Sequence, residues 1–397
     1  MNKNFYITTP IYYPSARPHM GHAYSSIVSD FFARLKKIQG YEVFFLTGTD
    51  EHGQKIQRAA ENKKKDPLKF CDEISATFKD LSKILNLSNN DFIRTTEARH
   101  KKSVENLWKV LEKKKEIYLY KYSGWYSVSD EAFYSEDEIE DDGDLKISKL
   151  SGSKVEWVEE ESYFFKLSKW QEPLLSFYEK NPDFILPKTR KNEVVSFVRA
   201  GLKDLSISRK SFTWGIKVPS NNEHVIYVWL DALTNYISAL NYPDQNNDLY
   251  KKFWPADVHI IGKDILRFHA IYWPAFLLAA DIKPPKRVYG HGWILSGDEK
   301  MSKSKGNILD PLEIIEKYGL DPLRYYLLKE VSFGNDGNIS KEKLESCINS
   351  DLANNYGNLC QRVILFCEKN LGLKVPEKYN FTKEDLSILN DFKEKIK

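Results

Sequence analysis

The sequence has 397 residues, 42% of them hydrophobic and 29% charged, with a formal net charge of +3. That length supports one to three domains around a sizeable core, and the composition is that of an ordinary globular protein rather than a disordered or fibrous one. The near-neutral balance excludes a uniformly basic nucleic-acid coat and leaves room for local basic patches. Four cysteines, Cys71, Cys347, Cys360 and Cys367, form no C-x-x-C pair, which argues against a disulfide framework and for a reducing compartment. The longest apolar run, 271–280, is about half of the ~20 residues that span a bilayer and contains Pro274. Residues 1–5 lack a basic-then-apolar leader, so no membrane and a cytoplasmic location are expected.

Residues 5–9 predict a buried strand that ends at Pro10. A helix follows from about Gly21, with Ala23, Ile27, Phe31 and Leu35 recurring every four residues, seconded by Val28 and Phe32, and Gly40 as its stop. A second strand, 42–46, ends in Thr47-Gly48-Thr49-Asp50-Glu51-His52-Gly53. Strand, helix and strand with ligand-type residues at the strand ends predict a doubly wound α/β unit, which binds ligands beyond the carboxyl ends of its strands. His19-Met20-Gly21-His22 then falls at a helix N-terminus, where backbone N–H groups and the macrodipole favour anions. Two imidazoles there can donate to a phosphate, or they can simply cap a helix. Two amphipathic helices are predicted over 61–87 and 97–115, and their lysine runs read first as solvated faces.

From Ile117 the pattern alternates like a strand through Tyr118, Tyr120, Tyr122, Trp125 and Tyr126, and the acidic stretch 135–144 reads as an exposed loop. The span 116–225 is therefore a separate inserted module. Arg209, near its end, is a candidate phosphate contact or an ordinary surface arginine. Residues 224–233 predict a strand running into a helix that carries Tyr236, and 258–264 a strand ending in Gly262-Lys263-Asp264. Asp264 suits a ribose diol. Trp229, Tyr236, Phe268 and Trp273 lie just past strand ends. There they are ordinary core or the walls of a pocket for an unbranched, polarisable side chain such as that of methionine. Lys300-Met301-Ser302-Lys303-Ser304 predicts a mobile loop able to wrap a polyphosphate.

These motifs together resemble the methionyl-tRNA synthetases, a family of class I aminoacyl-tRNA synthetases. The resemblance rests on Tyr12-Tyr13-Pro14 with His19-Met20-Gly21-His22, on residues 47–53, on Tyr227-Val228-Trp229-Leu230-Asp231-Ala232, on Ile261-Gly262-Lys263-Asp264 with Phe268-His269, and on 300–304. It implies a split Rossmann catalytic domain, a doubly wound parallel sheet, in halves 1–115 and 226–299. The inserted connective-peptide module 116–225 separates them. A loop and stem-contact region at 300–345 and a helical anticodon-binding segment from 346 to 397 complete the chain.

It further implies that ATP, with Mg2+, contacts His19, Gly21, His22, Gly262, Asp264, His291, Lys300 and Lys303. Of these, His19, His22, Lys300 and Lys303 act in catalysis. Asp50 would hold the methionine amino group, and Ile11, Trp229, Ala232, Leu233 and Tyr236 would surround its side chain together with Ile265, Phe268, His269 and Trp273. The implied reaction joins L-methionine to tRNA(Met) through an adenylate, for initiation and elongation of protein synthesis, in a monomer. Homocysteine, one methyl shorter, should leak into such a pocket, because a methylene is worth only ~1–3 kcal/mol.

Family members often carry zinc knuckles in the insertion. This sequence has no cysteine between Cys71 and Cys347, so no structural zinc and no other protein-held metal is expected. From Lys343 an amphipathic helix carries Asn358 and Arg362, which match anticodon-contacting positions one turn apart. The family's bundle continues further, so an incomplete bundle is expected here, with adenylate formation less affected than tRNA charging. Two alternatives stay open. Other class I synthetases need a thiolate-bound zinc or a larger editing insertion, and a non-catalytic RNA-binding paralogue would have lost His19, His22 or Lys303.

Overall fold

A computed structural model describes residues 3–130, 132–143, 145–296, 299–300, 310–372, 374 and 380–396. The predicted lysine-serine loop, Lys303 included, lies outside the described residues except for the backbone of Lys300, which closes a short strand Glu299–Lys300.

The core is a six-stranded parallel sheet. Its strands in chain order are β1 (Asn4–Thr8), β2 (Glu42–Thr49), β3 (Asp91–Arg94), β4 (Ile185–Leu186), β5 (Val258–Gly262) and β6 (Val288–His291). Their spatial order is β3-β2-β1-β5-β6-β4, and every pairing is parallel. Strand period 2 puts Tyr6, Phe44 and Leu46 into one core and Ile7, Val43 and Phe45 into the other. The order reverses between β1 and β5, and the expected crevice opens there. The chain is thus an α/β doubly wound protein whose sheet is interrupted by an insertion and followed by a helical segment.

Helix α1 (Met20–Ile38) follows β1 and is stopped by Gly40, which sits at φ +80°. The four-residue stripe expected on it holds only in part. Ala23 and Ile27 are fully buried, but Phe31 is 42% exposed. A strict i+4 repeat drifts around a helix of 3.6 residues per turn, and the buried face continues through Val28, as expected, and through Tyr24 and Ala33. The continuous helix expected over 61–87 is also broken. Helix Gln54–Asn62 ends, Lys64 turns at φ +54°, and helix Pro67–Ile84 restarts with the Asp66 side chain accepting from the Lys69 N–H.

Within the expected insertion 116–225, a separate antiparallel sheet forms around the long pair Ile117–Ser127 and Lys154–Phe165, but Ile185–Leu186 of the same span returns to the core sheet as β4. The acidic stretch expected as a loop is instead a Ser135-capped 3-10 turn, Glu136–Glu138, and a strand, Ile139–Asp142, paired with Leu145–Ser148. Ile139 is the reason, since it is buried against Tyr134 and Val155. After the sheet, helices Lys341–Cys347 and Asn358–Leu371 run through an intervening π-helical stretch, Ile348–Gly357. On the last helix Leu359, Val363 and Phe366 are each more than half exposed.

Gly48 shows how tightly β2 meets β3. A Cβ there would lie 2.0 Å from the Ile93 carbonyl oxygen and 2.7 Å from Ile93 Cγ2. Gly48→Ala is expected to cost at least ~1–3 kcal/mol, the usual range for overpacking a close-packed interior. A urea midpoint equal to that of the parent chain would contradict this.

Candidate active site

The crevice is built from the carboxyl ends of β1, β2, β5 and β6. His19 is the exposed N-cap of α1. Its Nδ1 accepts the Gly21 N–H at 3.1 Å, and its own N–H donates to His22 Nδ1 at 3.1 Å. With both Nδ1 atoms occupied by backbone donors, each neutral ring carries its proton on Nε2. The rings lie 3.8 Å apart, and a Cβ on Gly21 would come within 3.0 Å of His19 Cε1. Burial, seconded by the neighbouring His19, pushes His22 well below the usual histidine pKa. His22 is therefore a neutral N–H donor at pH 7. Tyr12 and Phe78 hold it from the sides, at 4.8 and 5.2 Å between ring centroids.

Asp50 reaches the crevice because β2 continues past its last pairing with β1, Thr8 with Leu46. Tyr12 bridges to Thr49, the Tyr12 N–H donates to the Gly48 carbonyl, and the Asp50 N–H donates to the Tyr12 carbonyl at 2.9 Å. Asp50 is buried there, one residue before Glu51, which is itself locked inside. Glu51 accepts from Arg94 Nε at 2.6 Å, Arg94 Nη2 at 3.0 Å, and the hydroxyls of Thr49, Ser75 and Thr96.

Across the crevice, the predicted aromatic residues come together. Trp229, in helix Val228–Leu233, stacks on Phe268 at 3.7 Å with planes 7° apart. Tyr236 stacks on His259 at 3.9 Å. His269 Nδ1 lies 3.0 Å from the Ile265 carbonyl, which can only accept, so Nε2 must accept the Tyr236 hydroxyl at 2.7 Å. Burial brings the His269 pKa down to about 4, keeping the ring neutral in this role. Phe268 and His269 sit on a π-helical turn, Phe268–Tyr272, a distortion common where side chains must be re-aimed. Trp273, Ala232 and Leu233 are buried beside them, and Ile11 and Ile265 pack on the same core.

At the end of β5, a Cβ on Gly262 would lie 2.5 Å from Asp264 Oδ1, so only glycine lets that carboxylate fold back. The Trp293 indole N–H donates to Asp264 Oδ1 at 3.3 Å. Lys263 pairs with Asp336 at 2.8 Å and stands 4.1 Å above the Trp293 ring. His291 Nδ1 donates to the Gly292 carbonyl at 2.8 Å, so Nε2 accepts the Ser25 hydroxyl, also at 2.8 Å. Both its nitrogens are engaged, so His291, expected among the ATP contacts, instead braces α1 against β6. Burial lowers its pKa as well.

Not every expected residue joins the crevice. Arg209 is 2% exposed, with Nη1 on Ser206 Oγ and the Ser208 carbonyl and its guanidinium near the rings of Tyr126 and Tyr227. That cation is a structural post, not a phosphate contact. Asn358 and Arg362 are exposed on helix Asn358–Leu371, one turn apart, and the Asn358 amide donates to the Asn354 carbonyl. Sequence reading did not assign Ser25, His259, Trp293 or His100. His100 and His259 left only the trace of a polar residue within an apolar pattern, a sign of burial but not of the partner.

With this geometry in place, relatives can be weighed. The family model for class I tRNA synthetases (M) matches residues 5–144 and 144–364. The methionine–tRNA ligase of Rickettsia bellii is 57% identical over 376 residues, 95% of this chain and 73% of that protein. The chain belongs to the class I methionyl-tRNA synthetases. Methionine–tRNA ligase 1 of Bacillus anthracis is a second such synthetase, 53% identical over all of this chain and 61% of its own length. Among solved synthetases, the Mycobacterium tuberculosis methionyl-tRNA synthetase in complex with methionyl-adenylate superposes with a TM-score of 0.94 at 48% identity. That match covers 98% of this chain and 76% of that one.

Proposed function

We infer that the chain is a methionine–tRNA ligase. It activates L-methionine with ATP to methionyl-adenylate and transfers the methionyl group to tRNA. The observation that carries this reading is the convergence of three groups on one crevice. These are the His19–His22 pair at the start of α1, Asp50 at the end of β2, and the aromatic wall of Trp229, Tyr236, Phe268 and His269.

In this reading the methionine ammonium meets the Asp50 carboxylate, and its thioether lies among the rings, where sulfur–aromatic contact is favourable. Ile11, Ala232, Leu233, Ile265 and Trp273 complete the pocket. The methionine carboxylate attacks the α-phosphate, and pyrophosphate leaves. The Nε2–H groups of His19 and His22 donate to the phosphates as charge builds there, with the dipole of α1 behind them. Gly21 admits the nucleotide close to the backbone, Gly262 and Asp264 take the ribose, and His291 holds α1 in register. Lys300 and Lys303 close on the polyphosphate. A hydroxyl of the tRNA end then attacks the adenylate carbonyl and AMP leaves, a reaction of positioning and electrostatics throughout. Asn358 and Arg362 face the anticodon.

Mg2+ enters as part of the ATP substrate, carried by phosphates and water. Because the sequence has no cysteine between Cys71 and Cys347, we propose no structural zinc. We further propose a catalytic domain in halves 1–115 and 226–299, the insertion 116–225, which lends β4 to the catalytic sheet, a stem-contact region 300–345 and an anticodon segment 346–397. The enzyme acts as a cytoplasmic monomer, a setting in which free cysteines persist. No helix among the described residues is long and apolar enough to cross a membrane. Incubation with methionine, ATP and tRNA(Met) should yield acid-precipitable labelled methionine. Its absence, with ATP consumed but no methionyl-tRNA formed, would contradict the transfer step.

A further inference from the structure

Asp231 is fully buried, and its carboxylate is shared by two imidazoles. Its Oδ2 lies 2.7 Å from His52 Nδ1 and its Oδ1 lies 2.7 Å from His100 Nε2. A carboxylate only accepts, so both ring nitrogens that face it donate. Burial by itself would raise the Asp231 pKa; His52 and His100 outweigh it and hold the group near 2.

Three segments meet at this carboxylate. His52 lies two residues beyond Asp50, past the end of β2. Asp231 lies on helix Val228–Leu233, which carries Trp229, Ala232 and Leu233. His100 lies in the first turn of helix Ala98–Lys113, and its Nδ1 is 2.9 Å from Ser238 Oγ, on the short helix that carries Tyr236. His52 is itself held by the Tyr13 hydroxyl, which donates to its carbonyl at 2.8 Å. A charge this deep is costly unless both partners stay in place, and apolar packing would serve a plain staple as well. The clasp joins the two ends of the amino-acid pocket.

We propose that Asp231, clasped by His52 and His100, is a positioning residue for methionine, setting the distance between Asp50 and the wall formed by Trp229 and Tyr236. This rests on the methionine reading of the crevice. A substrate gripped at both ends responds to small changes in that distance, because a misplacement of about 1 Å can cost on the order of a hundredfold in rate.

The test is methionine-dependent ATP–pyrophosphate exchange by the full chain and by four variants. Glutamine at His100 can keep a donor near the Nε2 position, and asparagine at His52 one near Nδ1; leucine at His100 keeps volume without a donor. His100→Leu and Asp231→Asn should raise KM for methionine about tenfold or more, with KM for ATP held within about twofold. His100→Gln and His52→Asn should fall between these and the parent chain. Should Asp231→Asn fail to fold, the comparison of leucine with glutamine at His100 decides. Methionine KM unchanged in His100→Leu, or methionine and ATP KM rising together, would overturn the clasp. A parent chain with no methionine-dependent exchange would overturn the methionine reading and the proposal with it.

Discussion

Replacing His19 or His22 by alanine is expected to lower kcat/KM for methionyl-adenylate formation by ~10²–10³-fold each, the usual effect of removing a preorganised donor to developing charge. The geometry makes a finer statement. Backbone N–H groups occupy Nδ1 of both rings, so the useful proton is on Nε2. Glutamine, whose amide reaches about as far as Nε2, should retain more activity than asparagine at either position. Because burial and His19 keep the His22 pKa well below its ordinary value, its ring stays neutral and its Nδ1 keeps accepting the His19 N–H down to mildly acidic pH. Pyrophosphate exchange by the six variants checks this, and asparagine outperforming glutamine at both sites would contradict the assigned tautomer.

The second large effect concerns stability. Glu51→Gln removes a buried carboxylate that pairs with Arg94 and accepts from three hydroxyls, and leaves an amide N–H facing donors. Breaking such a pair from one side costs ~3–5 kcal/mol. The same logic sets the pH dependence. Burial alone would raise the pKa values of Asp30, Glu51 and Asp231, but their partners outweigh it, so all three are lowered. Their stabilisation is present above the unfolded-state values near 4 and is lost as pH falls through the folded ones.

His22, His259 and His269 are also depressed, each by burial first. Below about pH 6.5 the unfolded chain takes up protons that these buried rings refuse, so stability already begins to fall there. Urea unfolding should therefore show a free energy that declines from pH 8 to 6 to 4, steepest at the acid end. A maximum near pH 5 would contradict the assignment.

Much of this was legible because it depends on local pattern. Short apolar runs bounded by turn residues revealed β1 and β2, and Gly40 marked the end of α1. His19, His22, Asp50 and Asp264 could be placed because they follow strand ends, where a doubly wound sheet puts its ligands. What was illegible depends on partners distant in sequence. Arg209 read as a phosphate contact or a surface cation until Tyr126 and Tyr227 were seen around it. His100 meets Asp231 across 131 residues of sequence, and no local signal announces that. The turn at Lys64 was hidden by a run of good helix formers, and the π-turn at Phe268–Tyr272 has no signature in residue type. The acidic stretch was misjudged by charge, where one apolar residue, Ile139, decided the structure.

The central claim is that the aromatic wall beside Asp50 selects methionine for the His19–His22 site. Its most direct test is ATP–pyrophosphate exchange with each of the twenty standard amino acids in turn. The expected result is exchange with methionine far above the other nineteen, with homocysteine, assayed alongside them, as the nearest competitor. Equal or faster exchange with leucine, isoleucine, valine or cysteine, or no exchange with any amino acid, would contradict it.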